Sequence, residues 1–288
     1  MKTTSKLNYR SMFKNMPDPR MRHWPLVDSP VPLAIITAVY LTFVTVVGPR
    51  VMASKKPLSF QKLILAVNVF QVLINMWIVW EMGDCGWFGQ YTFWCQPMDH
   101  STSPTALRMA RATWVFFAVK LFDLLDTVFF VLRKKDEQVS FLHLFHHVTT
   151  LWLSWLVCKY APGGHGTFAE MLNAFIHVIM YVYYLLSALG PNVQRFLWWK
   201  KYLTTAQMGQ FVVTWVQNLH AQFTGCTYNR LITQLYNPII TITFLLFFDF
   251  YRRSYVNNGG KRRASQRMNP PPLSSSTTSS QSLTRHEE

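Results

Sequence analysis

Long apolar stretches separated by short polar segments divide this sequence. Seven of them have about the same length, and they cover residues 31–48, 63–80, 112–132, 139–158, 168–190, 202–223 and 231–251. An α-helix needs about 20 apolar residues to cross the roughly 30 Å hydrocarbon core of a bilayer. The pattern therefore predicts an all-α integral membrane protein with seven transmembrane helices, called spans 1 to 7 in chain order.

Positive charge is concentrated in alternate loops between the spans. The loops after spans 1, 3 and 5 and the C-terminal tail hold most of the basic residues: Arg50, Lys55, Lys56, Lys62, Arg133, Lys134, Lys135, Arg195, Lys200, Lys201, Arg252, Arg253, Lys261, Arg262, Arg263 and Arg267. Because cytoplasmic loops carry an excess of Lys and Arg, these loops and the tail are predicted to be cytosolic. The same distribution explains the formal charge of +15 without a nucleic-acid partner.

This orientation divides the chain into three predicted parts. Residues 1–30 form a non-cytosolic segment, although their own basic residues argue against that side. They contain no apolar core of the signal-peptide kind, so span 1 is expected to remain in the protein. Residues 31–251 form the seven-helix domain, and residues 252–288 form a basic, disordered cytosolic tail.

Four cysteines occur, at positions 85, 95, 158 and 226, and none has the CxxC spacing of a zinc or redox centre. Cys95 and Cys226 both lie in loops on the side opposite the basic residues. In an endomembrane protein that side is oxidising. A disulfide between these two cysteines is therefore compatible with the topology.

Three ionisable residues interrupt span 3, where each is costly in a bilayer and is a functional candidate by default. Lys120, Asp123 and Asp126 fall within about 120° of one helical face, so they can project together into the bundle. A lysine–aspartate ion pair that only stabilises the bundle is the alternative interpretation.

Polar stripes also mark spans 4, 5 and 6. The segment HLFHH places His143, His146 and His147 on one helical face. Span 5 carries a second stripe of Asn173, His177, Tyr181 and Tyr184. The third stripe, in span 6, consists of Thr204, Gln207, Gln210, Thr214, Gln217 and Asn218. Most of these groups lie near the cytosolic ends of their spans, although His177 lies roughly 8 Å deeper than His146.

These stripes predict a polar pocket that opens toward a basic cytosolic rim. Lys134, Lys135, Lys200 and Lys201 would hold phosphates at this rim. An amphiphile with a polyanionic head and a hydrocarbon tail, such as a long-chain acyl-CoA, fits this description. Phosphoinositide or lipid-phosphate chemistry fits it equally well.

Four motifs in order resemble those of the fatty acid elongase family: KLFDLLDTVFFVLRKK, HLFHH, NAFIHVIMYVYY and LTTAQMGQF. The resemblance extends from about Pro25 to Tyr255, and it departs from the family at Asp123, where Glu is more common. It implies a seven-helix endoplasmic reticulum enzyme whose pocket binds acyl-CoA. Such an enzyme condenses long-chain acyl-CoA with malonyl-CoA to give 3-oxoacyl-CoA, CoA and CO2. The resemblance also implies that no metal or other cofactor is bound.

The family's site carries over to this sequence residue by residue. It implies catalytic roles for His143, His146, His147, His177 and Asp126, with an acyl chain transferred to one imidazole, and a luminal disulfide between Cys95 and Cys226. The predicted substrate-binding residues are Lys120, Asp123, Lys134, Lys135, Asn173, Tyr181, Tyr184, Lys200, Lys201, Gln207 and Gln210. The implied partners are a 3-oxoacyl-CoA reductase, a 3-hydroxyacyl-CoA dehydratase, an enoyl-CoA reductase and a second copy of the chain.

Three other functions compete with this interpretation. A membrane desaturase or hydroxylase shares the HxxHH motif, but it would need about eight to ten histidines at its iron centre, more than the spans contain. A seven-helix receptor would match the span count, but the Asn237-Pro238 pair is followed by Thr241 where the receptor motif has Tyr. A transporter would move its ligand without turnover.

Overall fold

The computed structural model describes residues 17–257, and the regular elements in this range are helical. Seven helices have 20 or more residues: α1 (Pro30–Met52), α2 (Gln61–Met82), α3 (Pro104–Leu132), α4 (Phe141–Tyr160), α5 (Gly166–Ala188), α6 (Lys200–Phe223) and α7 (Arg230–Tyr251). Each corresponds to one predicted span. The largest difference is at α3, which begins eight residues before span 3 because its first turns carry charged residues that a hydropathy pattern leaves out.

Serine caps set where three of these helices begin. The side chains of Ser29, Ser103 and Ser140 accept hydrogen bonds from backbone N–H groups in the first turns of α1, α3 and α4. Such caps satisfy N–H groups that have no partner inside the helix. The Ser140 cap receives the N–H of His143, so it fixes the start of the helix that carries the three clustered histidines.

Five of the long helical segments are long and apolar enough to cross a membrane: residues 30–52, 61–87, 141–160, 166–188 and 230–257. Large apolar side chains such as Val39, Leu73 and Trp80 are exposed on them, as expected for surfaces that face lipid. The protein is therefore an all-α, multi-pass membrane protein. Helices α3 and α6 are long enough but more polar, so the count of seven crossings stays a prediction.

Helix α3 is central to the packing, since it contacts α1, α2, α4 and α5. Phe117 and Leu124 of α3 form a buried cluster with Leu151 and Trp155 of α4, and Tyr40 of α1 joins it. Helix α2 packs mainly against α5. The charged face of α3 is thereby enclosed by helices on several sides.

The described residues up to Phe248 belong to one compact unit, and those from Asp249 onward belong to a second. In the second unit, Asp249 and Arg253 form an ion pair of 2.8 Å. The prediction of a disordered tail from residue 252 is wrong at its start, because Arg252–Asn257 is helical. The rest of the predicted tail (258–288) and residues 1–16 of the N-terminal segment lie outside the described residues.

A disulfide joins Cys95, in the loop between α2 and α3, to Cys226, in the loop between α6 and α7. Close by, the Gln217 side chain donates a hydrogen bond of 2.9 Å to the Phe93 carbonyl. The other two cysteines, Cys85 and Cys158, are free and buried. The covalent link ties the α2–α3 loop to the last two long helices.

We expect denatured, unreduced protein to bind two equivalents of an alkylating reagent and reduced protein to bind four, since the chain has four cysteines and two free ones. Intact-mass measurement distinguishes these states. Closing a loop of 131 residues stabilises the fold by about 4 to 5 kcal/mol on the chain-entropy model, so Cys95→Ser should also lower the unfolding temperature. Four equivalents bound without reductant would show that the bridge is absent.

The predicted luminal side has few basic residues, and the charges of two of them are neutralised by acidic side chains. Arg108 contacts Glu81 at 2.8 Å and Asp84 at 2.9 Å, and Arg111 contacts Glu81 at 3.0 Å. Burial alone would disfavour the charged form of the Glu81 carboxyl group, and these two guanidinium groups offset that effect. The paired arginines therefore add little net positive charge to this side.

Candidate active site

A buried charged cluster lies on the inner face of α3. The Lys120 ammonium donates a hydrogen bond of 3.1 Å to Asp123, one helical turn away. The same nitrogen lies 3.4 Å from His177 Nδ1 on α5, which is itself 3.7 Å from the Asp123 carboxylate. All three side chains are buried. This ion pair lies within a single helix, so it does not by itself hold two helices together.

The aspartate of this cluster connects three helices. Asp123 Oδ1 accepts a hydrogen bond of 2.6 Å from Gln71 on α2 and one of 3.1 Å from the Tyr181 hydroxyl on α5. Span 2, for which the sequence analysis named no site residue, therefore contributes to this cluster. Its polar residues Asn68, Gln71 and Asn75 are all buried. Their spacing of three to four residues along an apolar helix was the signal that could have identified them.

Asp126 and the first histidine of α4 have different hydrogen-bond partners. Its Oδ2 accepts a hydrogen bond of 2.8 Å from Tyr181, and the imidazole of His143 instead pairs with Thr127 at 2.8 Å. The hydroxyl of Tyr40 also bonds to Thr127, at 2.7 Å. The residue beside Asp126 on α3 therefore supplies the histidine contact, because Asp126 points toward α5.

The three histidines of α4 form a compact group near the start of the helix. The ring centroids of His143 and His147 are 4.2 Å apart, and those of His146 and His147 are 5.8 Å apart. His146 packs edge-on against Phe211 of α6 and Phe247 of α7. Its Nδ1 is buried and has no hydrogen-bond partner among the described residues. One imidazole nitrogen in this group is thus left without a hydrogen-bond partner in the described part of the chain.

A pocket extends from His146 between α3, α4, α5, α6 and α7. Apart from a few polar groups its wall is apolar, and the residues that line it are Phe116, His146, Thr150, Leu153, Ser154, Val157, Gly166, Ala169, Glu170, Asn173, Gln210, Phe211, Asn218, Ile232, Tyr236, Ile239, Ile240 and Thr243. Along α4 it continues from His146 to Val157, a distance of about 16 Å at 1.5 Å per residue. The shape suits a long hydrocarbon chain with its reactive end at His146.

At the far end of this pocket, Gly166 has no side chain, and this allows Tyr228 to pack closely against it. A Cβ added to Gly166 would lie 2.2 Å from the Tyr228 hydroxyl, so a larger residue would require Tyr228 to move. Tyr228 is buried against Val157 and Ile232. The pocket-lining residues Val157, Gly166 and Ile232 therefore lie beside Tyr228, in a cluster that also includes Cys226 of the disulfide.

The remaining predicted residues are divided between the pocket and the surface. Asn173 and Gln210 line the pocket, whereas the Gln207 amide contacts the sulfur of Met180 at 3.7 Å. The Tyr184 ring is partly exposed, with its centroid 5.9 Å from that of Tyr181.

The four lysines of the predicted rim do not line the pocket in the part of the chain that the structure describes. Lys134 donates to the Ala53 carbonyl at 3.2 Å. Lys135, Lys200 and Lys201 are exposed. These cations therefore lie at helix ends and not in the pocket wall.

No group of three or more His, Cys, Asp or Glu side chains within residues 17–257 is arranged to hold a metal ion. The histidines instead contact a hydroxyl group, aromatic rings and one another. What this arrangement offers chemically is a cluster of imidazoles beside an apolar pocket.

Comparison with known proteins places the chain in a family. Residues 25–263 match the family described as ELO, GNS1/SUR4. The chain is 43% identical over 249 residues to very long chain fatty acid elongase 1 of Mus musculus, covering 86% of this chain and 89% of the mouse protein. It is 40% identical over 249 residues to elongase 7 of Drosophila melanogaster (86% and 76% covered) and 40% identical over 238 residues to elongase 4 of Homo sapiens (83% and 76% covered). A match across most of the chain, together with these relatives, shows that the protein belongs to the ELO (GNS1/SUR4) family.

Proposed function

We propose that the protein elongates fatty acids by condensing a long-chain acyl-CoA with malonyl-CoA to give 3-oxoacyl-CoA, CoA and CO2. The observation that carries this proposal is the apolar pocket that begins at His146, beside two further imidazoles. A hydrocarbon chain fits the apolar wall, and its thioester then lies among the histidines. The names of the relatives support the same reaction class.

In the first half-reaction, a ring nitrogen of His146 attacks the acyl-CoA thioester carbon. The C–S bond breaks, the acylated imidazole loses its N–H proton, and the leaving CoA thiolate takes up that proton. Imidazole is among the side chains that form covalent intermediates. Phe211 and Phe247 hold the ring of His146 in place by packing against it.

In the second half-reaction, malonyl-CoA loses CO2, and the resulting enolate attacks the acyl-imidazole carbon. The C–N bond then breaks and frees His146. His143 and His147 are the proposed donors to the enolate oxygen, and such donors supply several kcal/mol at comparable oxyanion sites. Thr127 fixes the ring of His143 for this role.

The charged cluster positions the groups around the reacting carbons. Asp123 holds Lys120, and Lys120 lies against His177, so the orientation of that imidazole depends on both. Tyr181 links this cluster to Asp126. In this scheme Lys120 and Asp123 act through His177 instead of contacting the substrate, which revises the binding role first assigned to them.

Binding of each CoA is proposed to occur at the basic end of the bundle. Lys134 and Lys135 follow α3, and Lys200 and Lys201 begin α6. In the proposed topology of seven crossings, all four lie at the same end of the bundle. Their ammonium groups would hold phosphates as point charges. The proposed orientation has this end in the cytosol and the N-terminus in the lumen of the endoplasmic reticulum, where the disulfide persists.

Condensation needs further enzymes to complete a cycle. A 3-oxo group must be reduced, the resulting alcohol dehydrated and the double bond reduced before the chain can be extended again. A 3-oxoacyl-CoA reductase, a dehydratase and an enoyl-CoA reductase are therefore the proposed partners. A homodimer is a further proposal, to be tested by the mass of the protein in detergent.

We expect the purified protein to convert labelled malonyl-CoA and a series of acyl-CoAs into 3-oxoacyl-CoA. A label on the free carboxyl carbon of malonyl-CoA should be released as CO2, and a label on either other malonyl carbon should stay in the product. Chromatography of the products checks this. If no member of the series gave a 3-oxoacyl-CoA product, the proposal would be contradicted. Stoichiometric iron together with an unsaturated product would indicate a desaturase instead.

Asp126→Asn should lower the condensation rate less than Asp126→Ala, because the amide oxygen still accepts the bond from Tyr181. Tyr181→Phe should reproduce part of the Asp126→Ala loss, since it removes the same contact along with the bond to Asp123. Rates measured at saturating substrate check this order. Equal rates for wild type and Asp126→Ala would restrict this carboxylate to a structural role.

A further inference from the structure

One carboxylic acid lies in the pocket wall and has no role in the scheme above. Glu170 on α5 lines the pocket, and its side chain is almost fully buried, with the residue 5% exposed. Neither carboxyl oxygen has a hydrogen-bond partner among the described residues. Buried polar groups are nearly always paired, so an unpaired acid in an apolar pocket requires an explanation.

The neighbouring polar groups are committed elsewhere. Thr113 lies within hydrogen-bonding reach of Glu170, but its hydroxyl has a single proton, which it donates to the Met109 carbonyl at 3.1 Å. Lys120 is held by Asp123 at 3.1 Å and lies against His177. The Tyr228 hydroxyl lies 3.5 Å from the Ala161 carbonyl. Among the described residues, the protein therefore commits no hydrogen-bond donor to this carboxyl group in the pocket wall.

Its position along the pocket is well separated from the reacting end. Glu170 precedes His177 by seven residues on α5, or about 10 Å along the helix axis. Asn173 lies between these levels, lines the same pocket, and has a buried Oδ1 without a partner in the described chain. Two unpaired polar groups, one turn apart, thus face the part of the pocket that would hold the middle of an acyl chain.

We propose that Glu170 makes the pocket selective for acyl chains that carry a mid-chain hydroxyl group at the level of Glu170, well beyond the thioester at His146. This inference rests on the proposed condensation reaction. A hydroxyl both donates and accepts, so it can pair with the acid and with the Asn173 amide oxygen at once. A plain methylene chain leaves the acid unpaired, and an anionic group would have to lose its hydration beside an acid.

The test compares acyl-CoAs of one chain length with and without a hydroxyl, with the hydroxyl placed at successive mid-chain carbons and at the terminal carbon. Wild type should elongate the best mid-chain hydroxyacyl-CoA with kcat/KM about tenfold above the plain chain, the effect of one buried polar pair. Glu170→Leu should remove this preference by improving the plain substrate and impairing the hydroxylated one. Glu170→Gln, which keeps a donor and an acceptor, should retain most of it.

Ser154→Ala is the matched control, because Ser154 lines the same pocket while its hydroxyl bonds to the Leu151 carbonyl at 2.9 Å. It should leave the preference unchanged. If wild type and Glu170→Leu both elongated the plain chain and had the same preference for the hydroxylated chain, this inference would be overturned and the proposed function would stand. The carboxyl group would then be assigned a bound water as its partner. Absence of condensation with every substrate in wild type would instead overturn the proposed function and this inference with it.

Discussion

His146→Ala should lose condensation activity by about a thousandfold or more, the scale of losing a covalent nucleophile. Incubation of wild type with acyl-CoA alone should add one acyl group to the intact mass and release one CoA, whereas the variant should show neither. The physical reason is that His146 both lines the pocket and has a buried ring nitrogen without a protein partner. Of the three clustered histidines, it is the one in the pocket wall.

His220→Ala is the matched control for this experiment. His220 is also an imidazole on a long helix, but it stacks on Trp94, with centroids 4.7 Å apart, and does not line the pocket. The control should retain the acyl adduct. Direct attack of the enolate on acyl-CoA, with the histidines acting as acids and bases, predicts no adduct and intersecting double-reciprocal plots. That result would exclude the covalent route and leave the condensation reaction standing.

Lys120→Met should lower the unfolding temperature in detergent by roughly 10 °C and abolish activity. Removing one member of a buried ion pair leaves an uncompensated charge, which costs about 3 to 5 kcal/mol. The charge left without its partner would be that of Asp123, which is 2% exposed and lies where α2, α3 and α5 meet. His177 would lose its neighbouring ammonium group at the same time.

The double variant Lys120→Met with Asp123→Asn separates the two effects. Neutralising both members removes the buried charge, so stability should return to near the wild-type value while activity stays low. The amide oxygen introduced by Asp123→Asn would still accept the hydrogen bonds from Gln71 and Tyr181. Thermal unfolding and condensation assays on the same preparations measure both. Active, stable Lys120→Met protein would show that the ion pair matters neither for the fold nor for His177.

The helix positions were predictable from the sequence for a simple physical reason. A bilayer requires every backbone N–H and C=O in its core to be satisfied within the segment, so apolar stretches of the right length are helices. The stretch 231–251, for example, differs from α7 by one residue. Helix ends in polar loops depend on local caps such as Ser103 and were predicted less well.

The candidate site was predictable in part. A helix fixes the angular relation of residues three and four apart, so the common face of His143, His146 and His147 follows from spacing alone. The Lys120–Asp123 pair follows in the same way. Spacing could not show which residue on α3 meets the histidines, because Asp126 and Thr127 differ by only one position.

Pairing between helices was decided by the tertiary structure. Gln71 meets Asp123 across 52 positions, and Tyr40 meets Thr127 across 87, distances over which no local pattern extends. These contacts depend on the rotation and depth of each helix, which packing against its neighbours sets.

By itself, the sequence determined a helical membrane protein with histidines and charges on inward faces, because bilayer thickness and helix geometry act locally along the chain. Only the tertiary structure decided that His146 is the histidine in the pocket wall, that α2 supplies Gln71 and that Glu170 is left unpaired. The reason is that a side chain's partners and its access to a cavity depend on which helices surround it, and periodicity along one helix carries no information about the others.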